Sequence, residues 1–188
     1  MFRSLRWRIA ITFVLLNLLT LTGLGGYLSY TYQRIQLNKL KSQLAAEASL
    51  AASSLVPYFQ SGAEPEKLNT LARQWSAMLT RRITILSATG EVVGESHAQR
   101  AEMENHLQRP EIQEALRSGA GSSIRYSNTV EYDMVYFAVP VRVEQEIAGF
   151  VRISLSLNQF YDELAALRRT FFALGFFVAA VDVIFAIW

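Results

Sequence analysis

The chain has 188 residues, 51% of them hydrophobic, a formal net charge of +2 and no cysteine. So small a total charge says nothing by itself about nucleic acid, and no nucleic-acid partner is predicted; the absence of thiols excludes disulfides, thiolate metal sites and cysteine nucleophiles. The length suits one domain of ordinary size with accessory segments. The distribution of charge is more informative than its sum. Arg3, Arg6 and Arg8 crowd the start, and no acidic residue precedes Glu47.

Residues 1–8 form a basic N-terminus. The uncharged run from Ile9 to Gln33 covers about 37 Å at ~1.5 Å per residue, enough to cross a bilayer, and predicts a first transmembrane helix over 9–32. It exceeds a signal-peptide core and lacks a small-x-small cleavage site, so it reads as an uncleaved anchor. The arginines ahead of it hold the N-terminus in the cytoplasm, which sends residues 33–169 to the other side. Thr22 with Gly26, and Gly25 with Ser29, are small residues one turn apart that let a second helix approach closely. No breaker follows the span. Leu37, Leu40, Leu44, Ala48, Ala51 and Leu55 recur at helical steps, predicting a long amphipathic helix over 33–60. One of its faces would pack on the domain and another would form a homodimer seam with the spans.

The stretch from Ser61 to Glu64 interrupts that pattern, and Pro65 suits the first turn of a new helix through Arg81. Arg82–Ser87 alternates as a strand, Ala88–Gly90 turns, and Glu91–Gly94 returns. A mixed segment follows with His97 and His106, read as solvated loop residues. Glu102 and Glu104 lie between them, but the spacing fits no common zinc site, so neither a metal nor a cofactor is predicted. Pro110 opens a short helix from Glu111 to Arg117, closed by Gly119. Strands near Ser123–Ser127, Tyr132–Val141 and Ile147–Ser156 complete a sheet region over 82–156, with Arg142–Glu146 as a hairpin loop. Asn158 caps an exit helix over 158–169. Residues 170–188 are apolar except for Asp182 and read as a second span. The element order is that of an α+β protein with an antiparallel sheet.

In Tyr132–Val141, Val135, Phe137, Val139 and Val141 form one apolar face, while Tyr132, Met134, Tyr136 and Ala138 form the other. If the apolar sets face the long helix, alternation groups Thr84, Met134, Tyr136, Arg152 and Ser154 on the opposite face, and Arg125 joins them from the preceding strand. Two arginines there favour an anionic ligand, because guanidinium forks match carboxylate and phosphate geometry. The competing reading is that both arginines run over the sheet into water.

Three stretches carry a family likeness: Arg82 to Ser96, Glu104 to Leu116 with Gly119 and Gly121 after it, and Met134 to Val141. Together they resemble the sensory halves of bacterial membrane histidine kinases of the phosphate-regulon and respiratory sensor type. The resemblance implies a PAS-like single Cache domain, a five-stranded antiparallel sheet on a long N-terminal helix, set between two transmembrane helices. It implies a ligand pocket on the mixed face beneath the short helix, and a structural role for Asn105, His106, Arg109 and Pro110 in the segment crossing the domain. Two departures stand out. The hairpin turn, often acidic in relatives, has Ser87, Ala88 and Thr89, and the linker, phospho-acceptor and ATP-binding regions of such kinases have no counterpart in these residues. No enzymatic activity is therefore expected of the 188 residues themselves.

Asp182 lies about 18 Å along its span from Thr170, and Asn17 about 12 Å from Ile9, at ~1.5 Å per residue. In a core of ~30 Å these depths coincide, which predicts a polar pair inside the bilayer. A boundary close to Asp182, leaving it among headgroups, is the alternative. The combined expectation is the sensor and membrane portion of a two-component histidine kinase in the bacterial inner membrane. Its partners would be a second copy, the lipid bilayer, and an unknown ligand or membrane protein. The alternatives are the sensor region of a chemoreceptor or cyclic-dinucleotide enzyme, or a two-span accessory subunit of a membrane complex.

Overall fold

The structure, a computed structural model, describes residues 5–127 and 132–187. Residues 1–4, which include Arg3 of the basic start, and Trp188 lie outside the described residues. The chain divides into two compact units, one of residues 38–158 and one of residues 1–37 with 159–188.

The first helix, α1 (Leu5–Gln60), is continuous past Pro57 and contributes to both units. In the unit of residues 38–158 it is followed by α2 (Pro65–Leu79), β1 (Arg82–Ser87), β2 (Val92–Glu95), a single 3-10 turn over Arg100–Glu102, α3 (Pro110–Ser118), β3 (Gly121–Ser127), β4 (Tyr132–Val143) and β5 (Glu146–Ser156). The strands form one antiparallel sheet in the order β2-β1-β5-β4-β3. The two longest strands, β4 and β5, sit next to each other, and their alternation governs the faces of the whole sheet.

One face is apolar and covered by α1. Ile83, Ile85, Val135, Val151 and Ile153 are buried on it, and Leu44, Ala48 and Leu55 of α1 are fully buried. Gly149 of β5 shows how closely the layers approach, because a Cβ there would lie 2.6 Å from the Phe59 ring. The opposite face receives α3. Ile112 and Ala115 of α3 pack with Leu86, Ala138 and Phe150 in a second, smaller core. Proline supplies the first residue of both α2 and α3, where its missing N–H costs no helical hydrogen bond. Gly119 closes α3 in a left-handed conformation and returns its N–H to the Ala115 carbonyl.

Several boundaries differ from the sequence reading. The second helix stops at Leu79 rather than Arg81, because Thr80 adopts a left-handed conformation and its N–H returns to Ser76. Asn158 is the first residue of α4 (Asn158–Ile187) rather than its cap, and the Ser156 hydroxyl accepts its N–H at 3.1 Å. The β4–β5 loop is not Arg142–Glu146 but only Glu144 and Gln145, with Val143 paired to Glu146. Both loop residues have positive φ, 51° and 75°, as a type I′ turn demands. Neither is a glycine or asparagine, so the composition concealed the tight turn. Arg142 bridges it by donating to the Gln145 carbonyl at 2.9 Å. Left-handed backbone costs roughly 1–2 kcal/mol per ordinary residue, so Glu144→Asn combined with Gln145→Gly is expected to stabilise the domain by about 1 kcal/mol, read as a higher thermal midpoint.

The other unit holds the first part of α1 and α4. Both helices contain apolar windows long enough to cross a membrane, within Ile11–Gln60 and Phe160–Ile184. Many of their large apolar side chains point outward: Leu19, Phe172 and Phe176 are all strongly exposed. Such surfaces suit hydrocarbon, and the two helices fit spans flanking the domain. A membrane protein is the consequence.

Candidate functional site

The strand register assembles a polar cluster on the α3 face of the sheet. Thr84 of β1 pairs with Arg152 of β5, and Arg152 pairs with Ala138 of β4. In the adjacent row, Arg82, Ser154, Tyr136 and Ser123 lie side by side across four strands. A third row carries Met134 and Arg125. Paired residues share a face, so Thr84, Arg125, Met134, Tyr136, Arg152 and Ser154 all occupy the side that α3 covers. Arg152 is only 2% exposed, so it does not run over the sheet into water.

Charges alternate through the cluster. Arg152 Nη1 donates to Glu111 Oε1 at 3.3 Å, and its Nη2 donates to the Thr84 hydroxyl at 3.0 Å. Thr84 donates onward to Glu95 Oε2 at 2.8 Å, and Arg82 Nε donates to Glu95 Oε1 at 3.0 Å. Glu111 also accepts from Arg125 Nη2 at 3.2 Å and from the Ser123 hydroxyl at 2.6 Å. The guanidinium carbons of Arg125 and Arg152 lie 4.1 and 4.9 Å from the centroid of Tyr136, within cation–π range. Burial would push the Glu111 carboxyl up, but Arg152, the Ser123 hydroxyl, its own backbone N–H and Arg125 together hold it below its ordinary value. Burial weakens the preference of Arg152 for its charged form, against the support of Glu111 and then Glu95.

The cluster is rich in donors. Arg82 Nη2, Arg125 Nε, Arg152 Nε and Ser154 Oγ are buried without a hydrogen-bond partner among the described residues. The three guanidinium nitrogens can only donate. Such groups are costly in a protein interior unless an acceptor meets them.

A family model for single Cache-like domains matches residues 34–156, more than half of the chain. The chain belongs to the single Cache-like family. Comparison with curated protein sequences gave no match. Among solved structures, the Cache domain is similar to the sensor domain of the V. cholerae histidine kinase DctB, with a TM-score of 0.58 and 15% identity over 73% of this chain and 55% of that one. The E. coli DcuS sensor domain matches with a TM-score of 0.51 and 16% identity, over 69% of this chain and 95% of that one. The ligand-binding domain of the Pseudomonas fluorescens chemoreceptor CtaA, solved with L-isoleucine, matches with a TM-score of 0.58 and 18% identity, over 77% of this chain and 61% of that one. The chain thus spans little more than half of the DctB structure. At these identities the likeness is one of fold.

Three participants in the cluster escaped the sequence reading: Arg82, Glu95 and Glu111. Arg82 is in phase with Thr84, two residues on, and that alternation was a usable signal. Glu95 is set opposite Thr84 by the β1–β2 hairpin. It is held there by donation from the N–H groups of Ser96 and His97 and by its own N–H bond to Asn69. Glu111 reaches the cluster because α3 crosses the sheet, which no local pattern encodes. His106 corrects the reading of a solvated loop residue: it is 5% exposed, whereas His97 is exposed and meets Ser96. Asn105 and His106 tie the crossing segment to the β1–β2 turn. Asn105 Nδ2 donates to the Thr89 carbonyl and the His106 N–H to Gly90, both at 2.8 Å. Arg109 precedes Pro110 at the start of α3, with its guanidinium 3.6 Å from Glu104 in an exposed pair. Among the described residues, no three His, Asp or Glu side chains converge as metal ligands would.

Burial, together with the positive charges of Arg152 and Arg109, lowers the His106 imidazole to about 4. The folded domain therefore holds it neutral, whereas the unfolded chain protonates near 6.5. Between those values the unfolded state binds more protons, so stability is complete above about 6.5 and is lost as pH falls toward 4. A loss of about 2 kcal/mol between pH 7 and pH 5 is expected from this group. His106→Asn should flatten that part of the pH–stability profile, measured by urea unfolding at both pH values.

In the other unit, Asn17 Nδ2 donates to Asp182 Oδ2 at 2.7 Å, joining α1 to α4. Close packing nearby places Phe171 within 3.3 Å of where a Gly25 Cβ would be.

Proposed function

We propose that this chain is the sensory and membrane-anchoring portion of a two-component sensor histidine kinase. In this reading the N-terminus is cytoplasmic, the Cache domain lies outside the inner membrane between two spans, and two copies pair through the spans and α1. The ligand is a small anion bound on the α3 face of the sheet. The observation that carries the ligand class is the set of buried donors on Arg82, Arg125, Arg152 and Ser154 that no acceptor among the described residues meets. A carboxylate or phosphate supplies the acceptors they lack. Binding that favours one arrangement of sheet and helices over another would shift their populations, and α4, which follows β5 directly, would carry that difference toward the membrane.

A chemoreceptor is the second reading, favoured by the fold match to the CtaA domain. The frame beyond Trp188 separates the two, since a phospho-acceptor helix and an ATP-binding domain are required for a kinase. The site is tested by thermal melting of the chain in lipid nanodiscs with succinate, inorganic phosphate and L-serine. Succinate or phosphate is expected to raise the midpoint of the wild type, Arg152→Ala to abolish the rise, and the less buried Arg125→Gln to reduce it. A rise with L-serine alone, no rise with any probe, or an undiminished rise in the variants would overturn the anion site.

A further inference from the structure

We propose that Glu111 is a tethered stand-in for the ligand, a carboxylate of the protein's own that occupies the guanidinium cluster and that an incoming anion displaces, undocking the first turn of α3. This inference rests on the anion-site reading above. It makes Glu111 the residue that sets which anions are accepted.

The geometry of the carboxylate is the first support. Glu111 is fully buried and spends both oxygens on the cluster, Oε1 on Arg125 and Arg152 and Oε2 on Ser123. Its contacts to the two guanidinium groups, 3.2 and 3.3 Å, are longer than the ~2.7–2.9 Å of well-formed charge-assisted bonds. One carboxylate is stretched between two arginines, and Nε of each remains without an acceptor among the described residues. A free anion, not tied to a helix, can settle closer.

The two acids of the cluster are also held differently. Glu95 belongs to β2 and accepts from Arg82, Thr84 and two successive backbone N–H groups, so it leaves only if the sheet edge comes apart. Glu111 stands one residue after Pro110, in the first turn of a nine-residue helix. That helix meets the sheet through Ile112 and Ala115, through the Ser122 N–H donating to Glu114 Oε2 at 2.7 Å in its second turn, and through the close approach of Gly121 to its backbone, and it ends in the left-handed Gly119. Of the two, only Glu111 can withdraw with the sheet intact.

Charge then decides selectivity. Arg82, Arg125 and Arg152 against Glu95 and Glu111 leave one net positive charge, and withdrawal of Glu111 leaves two. A monoanion that replaces Glu111 exchanges one charge for another and trades an intramolecular partner for one drawn from solution, which is entropically unfavourable. A dianion gains a charge in the exchange. The structure therefore assigns to Glu111 the rejection of monocarboxylates in favour of dianions.

The test compares acetate and succinate on the full chain in nanodiscs, by melting and by hydrogen exchange. In the wild type, succinate is expected to raise the midpoint, acetate to leave it unchanged, and succinate to speed amide exchange in residues 112–116. In Glu111→Ala, acetate is expected to fill the vacated carboxylate position and raise the midpoint. Should that variant fail to fold, Ser123→Ala, which removes one of the bonds holding Glu111, is expected to tighten succinate binding severalfold. If neither anion shifts wild type or variant, the anion site itself falls and this inference with it. If succinate binds the wild type but α3 exchange stays unchanged or slows, or acetate fails to rescue Glu111→Ala, the anion site stands and displacement is overturned. Unchanged or weaker succinate binding in Ser123→Ala overturns it likewise.

Discussion

Replacing Glu111 with leucine is expected to destabilise the Cache domain by about 3–5 kcal/mol, the cost of breaking a buried ion pair from one side. The reason lies with Arg152 rather than with the lost carboxylate. Arg152 is 2% exposed, and its charge is supported first by Glu111 and only then by Glu95. Without Glu111, its Nη1 joins its Nε as a buried donor without an acceptor. The proof is a double-variant cycle. Adding Arg152→Met to Glu111→Leu removes the stranded charge and leaves side chains that suit the neighbouring cluster of Leu86, Ile112 and Phe150. The pair is therefore expected to be more stable than Glu111→Leu alone, because well-packed apolar residues commonly replace a buried ion pair without net loss. Urea unfolding of the single and double variants measures the coupling, and equal stabilities would show that Arg152 does not depend on Glu111.

Gly121→Val is expected to produce the other large effect, a loss of about 3 kcal/mol, at the upper end of ordinary overpacking. Gly121 begins β3 directly beneath α3. A Cβ there would collide with the Glu111 carbonyl oxygen and stand 2.7 Å from the Ala115 nitrogen. Both are backbone atoms of the helix and cannot rotate aside. The helix must lift, which opens the packing of Ile112 and Ala115 and separates Glu111 from Arg152. Gly119→Ala offers the contrast. Nothing lies within 4 Å of its Cβ position, but its φ of +83° is left-handed, so roughly 1 kcal/mol of backbone strain is expected without displacement of α3. Hydrogen exchange across residues 110–118 distinguishes the two, with fast exchange expected only for Gly121→Val.

Both variants act where α3 meets the sheet, and that junction marks the limit of what the sequence discloses. Period-two alternation in Tyr132–Val141 and Ile147–Ser156 was enough to locate β4 and β5 and to sort their side chains. Thr84, Tyr136, Arg152 and Ser154 do share a face, because the pleat leaves an alternating strand no other choice. Helical spacing without a breaker was enough to extend α1 beyond its apolar run to residue 60. A fixed rise per residue, set against a core of ~30 Å, placed Asn17 and Asp182 at matching depths, although their contact itself belongs to the packing of the two helices. These are consequences of local geometry, repeated along the chain.

The partners across that geometry were decided by tertiary structure. Alternation assigns Arg152 to a face but does not say what covers it. The covering element is α3, which brings Glu111 to Arg152 across 41 positions of chain. The same placement accounts for His106, whose polar neighbourhood reads as a solvated loop until the crossing segment is pinned to the β1–β2 turn and buried. The Glu144–Gln145 turn was hidden for a related reason: pairing along the two long strands holds both residues at positive φ despite their own preference. Local chemistry determines which conformations and faces a residue can adopt. Whether Glu111 is a solvated helix-end acid or the buried counter-charge of the arginine cluster depends on which surface its helix is packed against, and only the folded chain settles that.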